Sequence, residues 1–155
     1  MHTILFVCHG NICRSTMAEA VFKHLVHEAG LDDAFEIDSA AMWTDELGHP
    51  IYPPARRELE RHGVAPGNHR ARLMKLGDYA HFDWIVGMDE ENERDVLRLT
   101  GGDPDGKFRR LLSFAGIERE VADPWYTRDF SATWDDVQTG CRALLAFLLE
   151  NGERG

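Results

Sequence analysis

Apolar side chains run unbroken from Ile4 to Val7 behind Thr3, so residues 3–7 read as a strand buried on both faces. The period then changes. Met17, Ala20, Val21, His24 and Leu25 recur at near-helical spacing over residues 16–29, and Gly30 closes that helix. Ser15 or Thr16 is the predicted cap, with Glu19 three residues beyond Thr16 in a capping-box pattern. Residues 35–40 form a second predicted strand. Residues 41–54, which hold Gly48, Pro50, Pro53 and Pro54, read as loop. A short charged helix over 55–62 is closed by Gly63, residues 68–73 are irregular, and 75–80 form another short helix. The third predicted strand is 82–88. A helix over 90–99 stops at Thr100-Gly101-Gly102, and residues 102–106 make a turn. A fourth short strand is predicted at 110–112 and a loop at 121–128. The last helix, 134–149, carries Val137, Cys141, Leu144, Leu145 and Leu148 on one side.

Strands alternating with helices imply a parallel sheet covered on both faces, with the ligand beyond the carboxyl ends of the strands. Cys8 falls at that edge. No repeat, low-complexity segment or linker interrupts residues 1–155, so the chain is expected to be one domain.

The chemistry concentrates where the first strand meets the first helix, in Cys8-His9-Gly10-Asn11-Ile12-Cys13-Arg14-Ser15. The first N–H groups of a helix lack intrahelical partners and carry partial positive charge. A tight turn before them aims several N–H groups inward, which suits a tetrahedral oxyanion. Gly10 and Asn11 are residue types that tolerate positive φ. Arg14 adds a planar fork matched to phosphate. The same field favours thiolate at Cys8, and a thiolate on the floor of such a cradle can attack phosphorus. Expulsion of an alkoxide or phenoxide needs a proton donor opposite, and Asp123-Pro124-Trp125-Tyr126 is the best candidate, although an Asp-Pro pair taken alone reads as an ordinary turn.

Composition narrows the partners. The net charge of −10 argues against a nucleic-acid binder and makes the anion site a local positive island. No run approaches membrane-span length and no signal peptide is evident, so a cytoplasmic protein without membrane attachment is expected. Three cysteines form neither a disulfide framework nor a zinc tetrad with the scattered histidines; no metal and no cofactor are expected.

The string Val7-Cys8-His9-Gly10-Asn11-Ile12-Cys13-Arg14-Ser15 resembles the signature of the low-molecular-weight protein tyrosine phosphatases. The resemblance extends over nearly the whole chain, through His69-Arg70-Ala71-Arg72, Met88-Asp89-Glu90-Glu91-Asn92 and Asp123-Pro124-Trp125-Tyr126. It implies a three-layer α/β fold with a four-stranded parallel sheet, flavodoxin-like, of the phosphotyrosine phosphatase I type. It also implies hydrolysis of phosphotyrosine in proteins, and of small aryl phosphates, through a cysteinyl-phosphate intermediate. By this match Cys8 is the nucleophile, Arg14 the phosphate clamp and Asp123 the general acid and base. His9, Gly10, Asn11, Ile12, Cys13 and Ser15 form the phosphate loop. Within it Ser15 eases thiolate departure, Asn11 holds the backbone, and Cys13 is the partner for a reversible disulfide with Cys8. Trp125 and Tyr126 match the aromatic wall, and Trp43 is expected to supply a further ring where Asp45 replaces an aromatic of the family pattern. His69 is expected to support the loop, and Asp89 to cap a helix. A monomer or weak homo-oligomer is expected. An arsenate reductase of related loop would need two further mid-chain cysteines, and none lies between Cys13 and Cys141. A non-catalytic phosphate-binding domain would lack Cys8, Arg14 or Asp123; all are present.

Overall fold

In the computed structural model, which describes residues 1–151, the Ile4–Val7 run lies inside β1 (His2–Cys8). This strand pairs in parallel with β2 (Phe35–Ala41) on one edge and β3 (Trp84–Gly87) on the other. With β4 (Phe108–Arg110) beside β3, the four-stranded sheet has the order β2-β1-β3-β4. Residues 152–155, included in the one-domain reading, lie outside the described residues.

Burial on both faces explains the absence of alternation in β1. Ile4, Phe6 and Cys8 face a core built with α1 (Arg14–Glu28) and α6 (Phe130–Asn151). Leu5 and Val7 point the other way, into a second core with Met74, Tyr79, Phe82 and Val96. That second face is covered by α3 (Leu76–His81) and α4 (Glu90–Thr100). The expected three-layer architecture is therefore the observed one. No helix among the described residues is long and apolar enough to cross a membrane.

Several boundaries differ from the sequence reading. The first helix starts at Arg14 with Cys13 as its cap residue and no side-chain cap. Thr16 Oγ1 donates to the Cys13 carbonyl instead, and Glu19 turns inward to accept from Ser39 Oγ at 2.5 Å, so no capping box forms. The helix predicted over 55–62 is α2 (Pro53–Arg61), its two prolines occupying a first turn whose N–H groups need no partner. The fourth strand pairs through Phe108, Arg109 and Arg110 rather than 110–112. Leu111 and Leu112 are instead the buried start of a 3₁₀ turn, Leu111–Ala115, which packs on α6. The loop read over 121–128 contains a single helical turn, α5 (Pro124–Thr127), capped by Asp123. The last helix begins at Phe130, because Asp129 Oδ1 accepts the N–H of Ala132 at 3.0 Å and so caps it.

Candidate active site

Cys8 ends β1, and α1 begins at Arg14; the turn between them lines a cavity of about 470 Å³ at the carboxyl edge of the sheet. Asn11 adopts φ 60° and Gly10 does not, so only one of the two residues read as tolerant of positive φ uses that freedom. At Gly10 a Cβ would stand 3.3 Å from Glu46 Cγ, a tight approach to that side chain. The N–H of Asn11 donates to Cys8 Sγ at 3.3 Å, while those of Gly10, Ile12 and Cys13 have no acceptor among the described residues. These groups are the donors an oxyanion above Cys8 would use.

Asn11 is fully buried and holds the turn from four sides. Its Nδ2 donates to Ser15 Oγ at 2.7 Å and to Ser39 Oγ at 3.0 Å. Its Oδ1 accepts from His69 Nε2 at 2.7 Å and from the Arg72 N–H at 3.3 Å. Because Ser15 Oγ accepts from Asn11, its own hydrogen is free for Cys8 Sγ, 3.0 Å away. The other ring nitrogen of His69 faces Asp38 at 3.4 Å and Glu19 at 3.6 Å. Glu19, Asp38 and His69 are the one group among the described residues whose atoms are spaced to hold a metal ion. The facing carboxylate oxygens are already engaged by Ser39, whose hydroxyl donates to Glu19 Oε1 and whose N–H donates to Asp38 Oδ1, and His69 Nδ1 lies against both of them.

Arg14, 3 % exposed, spans the cavity. Its Nη1 donates to Asp89 Oδ2 at 2.7 Å and to the Val121 carbonyl at 3.0 Å; its Nη2 lies 3.4 Å from Asp123 Oδ2. Burial alone would lower its pKa, but the charges of Cys8, Asp89 and Asp123 outweigh burial and raise it, keeping the guanidinium charged. Burial, reinforced by the charge of Cys8, pushes the neighbouring Cys13 thiol up, so Cys13 stays protonated. Asp123 Oδ1 accepts the Trp125 N–H at 3.0 Å, which fixes the carboxylate at the head of α5.

Trp125 and Tyr126 line the cavity, Tyr126 being 82 % exposed. Trp43 does not line it. That ring stands behind His9, centroids 5.5 Å apart and planes 15° from parallel, and its Nε1 donates to Asp95 Oδ2 at 2.8 Å. The expected third ring of the wall is thus replaced by His9, which bridges Glu91 at 2.8 Å and Asp45 at 3.1 Å. Asp89 caps α4, as its sequence context predicts, by accepting the Asn92 N–H at 2.8 Å, and it also enters the cavity to hold Arg14. Only the Met-Asp-x-x-Asn string signalled it. Of the other acids in the lining, Asp45 stood out only as a departure from the family pattern and Glu91 only as part of that string, while Glu46 and Glu120 carried no sequence signal.

The fold and this cavity define a class: a doubly wound α/β protein whose carboxyl-edge cavity is lined by a cysteine, an arginine, the turn that joins them and an aspartate in contact with that arginine. The family model for the low molecular weight phosphotyrosine protein phosphatases matches residues 3–154, and the chain belongs to that family, which is one of hydrolases. It is 36 % identical over 148 residues to the low molecular weight protein-tyrosine-phosphatase YfkJ of Bacillus subtilis, covering 94 % of this chain and 95 % of that protein. It is 37 % identical over 148 residues to the human low molecular weight phosphotyrosine protein phosphatase, with 92 % and 93 % covered. The crystal structure of YfkJ superposes with a TM-score of 0.93 at 35 % identity, over 97 % of this chain and 96 % of that one. The YwlE arginine phosphatase, in a mutant with a phosphorylated active-site serine, superposes with a TM-score of 0.86 at 26 % identity, over 96 % and 97 %.

Proposed function

We propose that this protein is a phosphotyrosine phosphatase that works through a phosphorylated Cys8. The observation that carries the reading is Arg14, which touches both Asp89 and Asp123 at the mouth of the turn that ends in Cys8. The phosphoryl oxygens lie against the loop N–H groups and the Arg14 fork, which stabilise charge developing in the transition state. Cys8 sulfur attacks phosphorus in line with the departing oxygen. Asp123, entering protonated, gives its proton to that oxygen as the P–O bond breaks. The Asp123 carboxylate then takes a proton from water as the water displaces the Cys8 thiolate, and inorganic phosphate leaves. Ser15 Oγ–H, aimed at sulfur, stabilises the thiolate as it departs. The phosphorylated serine of the YwlE mutant supports a covalent step at this position. Trp125 and Tyr126 give a phenyl ring a flat surface, which favours an aryl ester over a flexible alkyl chain. YfkJ and the human protein, at 36 % and 37 % identity, are named as tyrosine and phosphotyrosine phosphatases, while the arginine phosphatase neighbour is more distant at 26 %.

The three cysteines are free and buried, which suits a reducing compartment such as the cytoplasm. The test is turnover of para-nitrophenyl phosphate and of a phosphotyrosine peptide in chelator. Cys8→Ser should abolish both. Asp123→Ala should slow the peptide, whose phenol leaves poorly, more than the nitrophenyl ester, whose leaving group needs little protonation. Full activity in Cys8→Ser, or a phosphoarginine peptide turned over in preference to phosphotyrosine, would overturn the proposal.

A further inference from the structure

Beside the catalytic cavity lies a second cleft, of about 290 Å³, between α2 and the start of α6. We infer that this cleft, with Arg57, Arg61 and Arg128 on its walls, is an anion subsite that takes an acidic side chain or a second phosphate on the same phosphotyrosine substrate. The inference rests on the phosphatase reading and names the substrate class for that site.

Arg57 and Arg61 are four residues apart on α2 and so share one face. Arg57 is exposed and has no ion-pair partner among the described residues. The two acids of the cleft are already committed. Glu58 is buried and faces His62 Nε2 at 2.9 Å and Arg61 Nη1 at 3.4 Å. Asp129 accepts from the Ala132 N–H and from Ser131 Oγ, both at 3.0 Å, as the cap of α6. Arg61 is thus partly balanced by Glu58, and Arg57 is the fork that the cleft presents to solvent without an acid of its own, in a chain of net charge −10. At physiological ionic strength charges more than about 8 Å apart are largely screened, so the local arginines and not the total charge decide what binds.

Arg128 joins the cleft to the catalytic cavity. It sits in the left-handed region at φ 62°. Its Nη1 donates to the Tyr52 hydroxyl at 2.9 Å, and its guanidinium lies 5.4 Å over the Trp125 ring, the same ring that lines the catalytic cavity. A phosphotyrosine ring against Trp125 thus directs the adjoining peptide past Arg128 towards Arg57. Elsewhere the cavity lining carries Asp45, Glu46, Glu91 and Glu120, with His9 against Asp45 and Glu91, and this excess of acids disfavours an acidic flank there. The cleft and this lining together orient a peptide whose acidic residues lie on one side of the phosphotyrosine. Arginine forks hold carboxylate and phosphate alike, so both are included in the test.

The experiment compares three phosphotyrosine peptides of one sequence, flanked by glutamine, by glutamate or by phosphoserine, with the flank placed on either side in turn. Wild type should show a kcat/KM about five- to tenfold higher for one acidic placement, as expected for a few exposed charge pairs. Arg57→Ala and the Arg57→Ala/Arg61→Ala double variant should lose that preference and keep wild-type turnover of para-nitrophenyl phosphate. A gain confined to phosphoserine identifies phosphate as the occupant, and a gain with glutamate identifies carboxylate. Equal kcat/KM for all flanks in wild type, or a preference surviving the double variant, overturns the inference. If wild type turns over neither ester, the phosphatase reading fails instead. Fluorescence anisotropy of the same peptides on Cys8→Ser then decides the subsite, and equal affinities reject it.

Discussion

Asn11→Ala removes the residue that holds the phosphate loop from four sides, and the cost follows from the geometry. It deletes the hydrogen bonds to Ser15 Oγ, Ser39 Oγ, His69 Nε2 and the Arg72 N–H. At about 0.5–1.5 kcal/mol each, with the partners left buried, these sum to about 2–6 kcal/mol. Alanine at φ 60° adds about 1 kcal/mol that asparagine largely avoids. The total, about 3–7 kcal/mol, is a large part of the 5–15 kcal/mol typical of a domain. At roughly 2–4 °C per kcal/mol for a chain of this size, Tm should fall by at least about 6 °C. Asn11→Gly relieves the backbone cost alone and should recover about 1 kcal/mol of stability. Misplacing the loop N–H groups should also lower kcat by about a hundredfold at pH 7. Urea unfolding and steady-state kinetics on wild type and both variants read these effects. A loss under about 1 kcal/mol in Asn11→Ala would refute the view that this side chain determines the loop.

Three further outcomes are expected. Burial lowers the pKa of His9, but its hydrogen bonds to Glu91 and Asp45 outweigh that and raise it. The fastening of the 43–47 segment to α4 through His9 is therefore fully present below about pH 6.5, the ordinary histidine value, and is lost as pH rises through the raised one. The difference in Tm between wild type and His9→Gln should shrink across that window, and a constant difference would contradict this. Gly140→Ala drives a methyl into Leu111 and should cost about 1–3 kcal/mol in chemical denaturation. Arg14→Lys keeps the charge but loses the planar fork that reaches Asp89, the Val121 carbonyl and Asp123 together; kcat/KM for para-nitrophenyl phosphate should fall by at least about tenfold.

Much of this architecture was legible in the chain. The unbroken run at Ile4–Val7 marked a strand covered on both sides, and the strand–turn–helix string placed a cysteine at the sheet's carboxyl edge. What was not legible depended on tertiary partners. Glu19 looked like a capping residue, but Ser39 and Lys23 claim its carboxylate. Leu111 and Leu112 have strand-like composition, yet the apolar face of α6 pulls them out of the sheet. Asp89 looked like a helix cap because a cap is a local pattern, whereas its contact with Arg14 spans 75 residues of sequence. Trp43 looked like a wall of the cleft, but the Asp95 carboxylate holds its indole N–H behind His9.

The most direct test of the account is the covalent species itself. Rapid quench of Asp123→Ala during turnover of para-nitrophenyl phosphate, followed by proteolysis and mass spectrometry, should find a phosphoryl group on the peptide that carries Cys8. It should accumulate there because the variant cannot activate water to remove it. Turnover with no such adduct, or with the phosphoryl group on any other residue, would contradict the account.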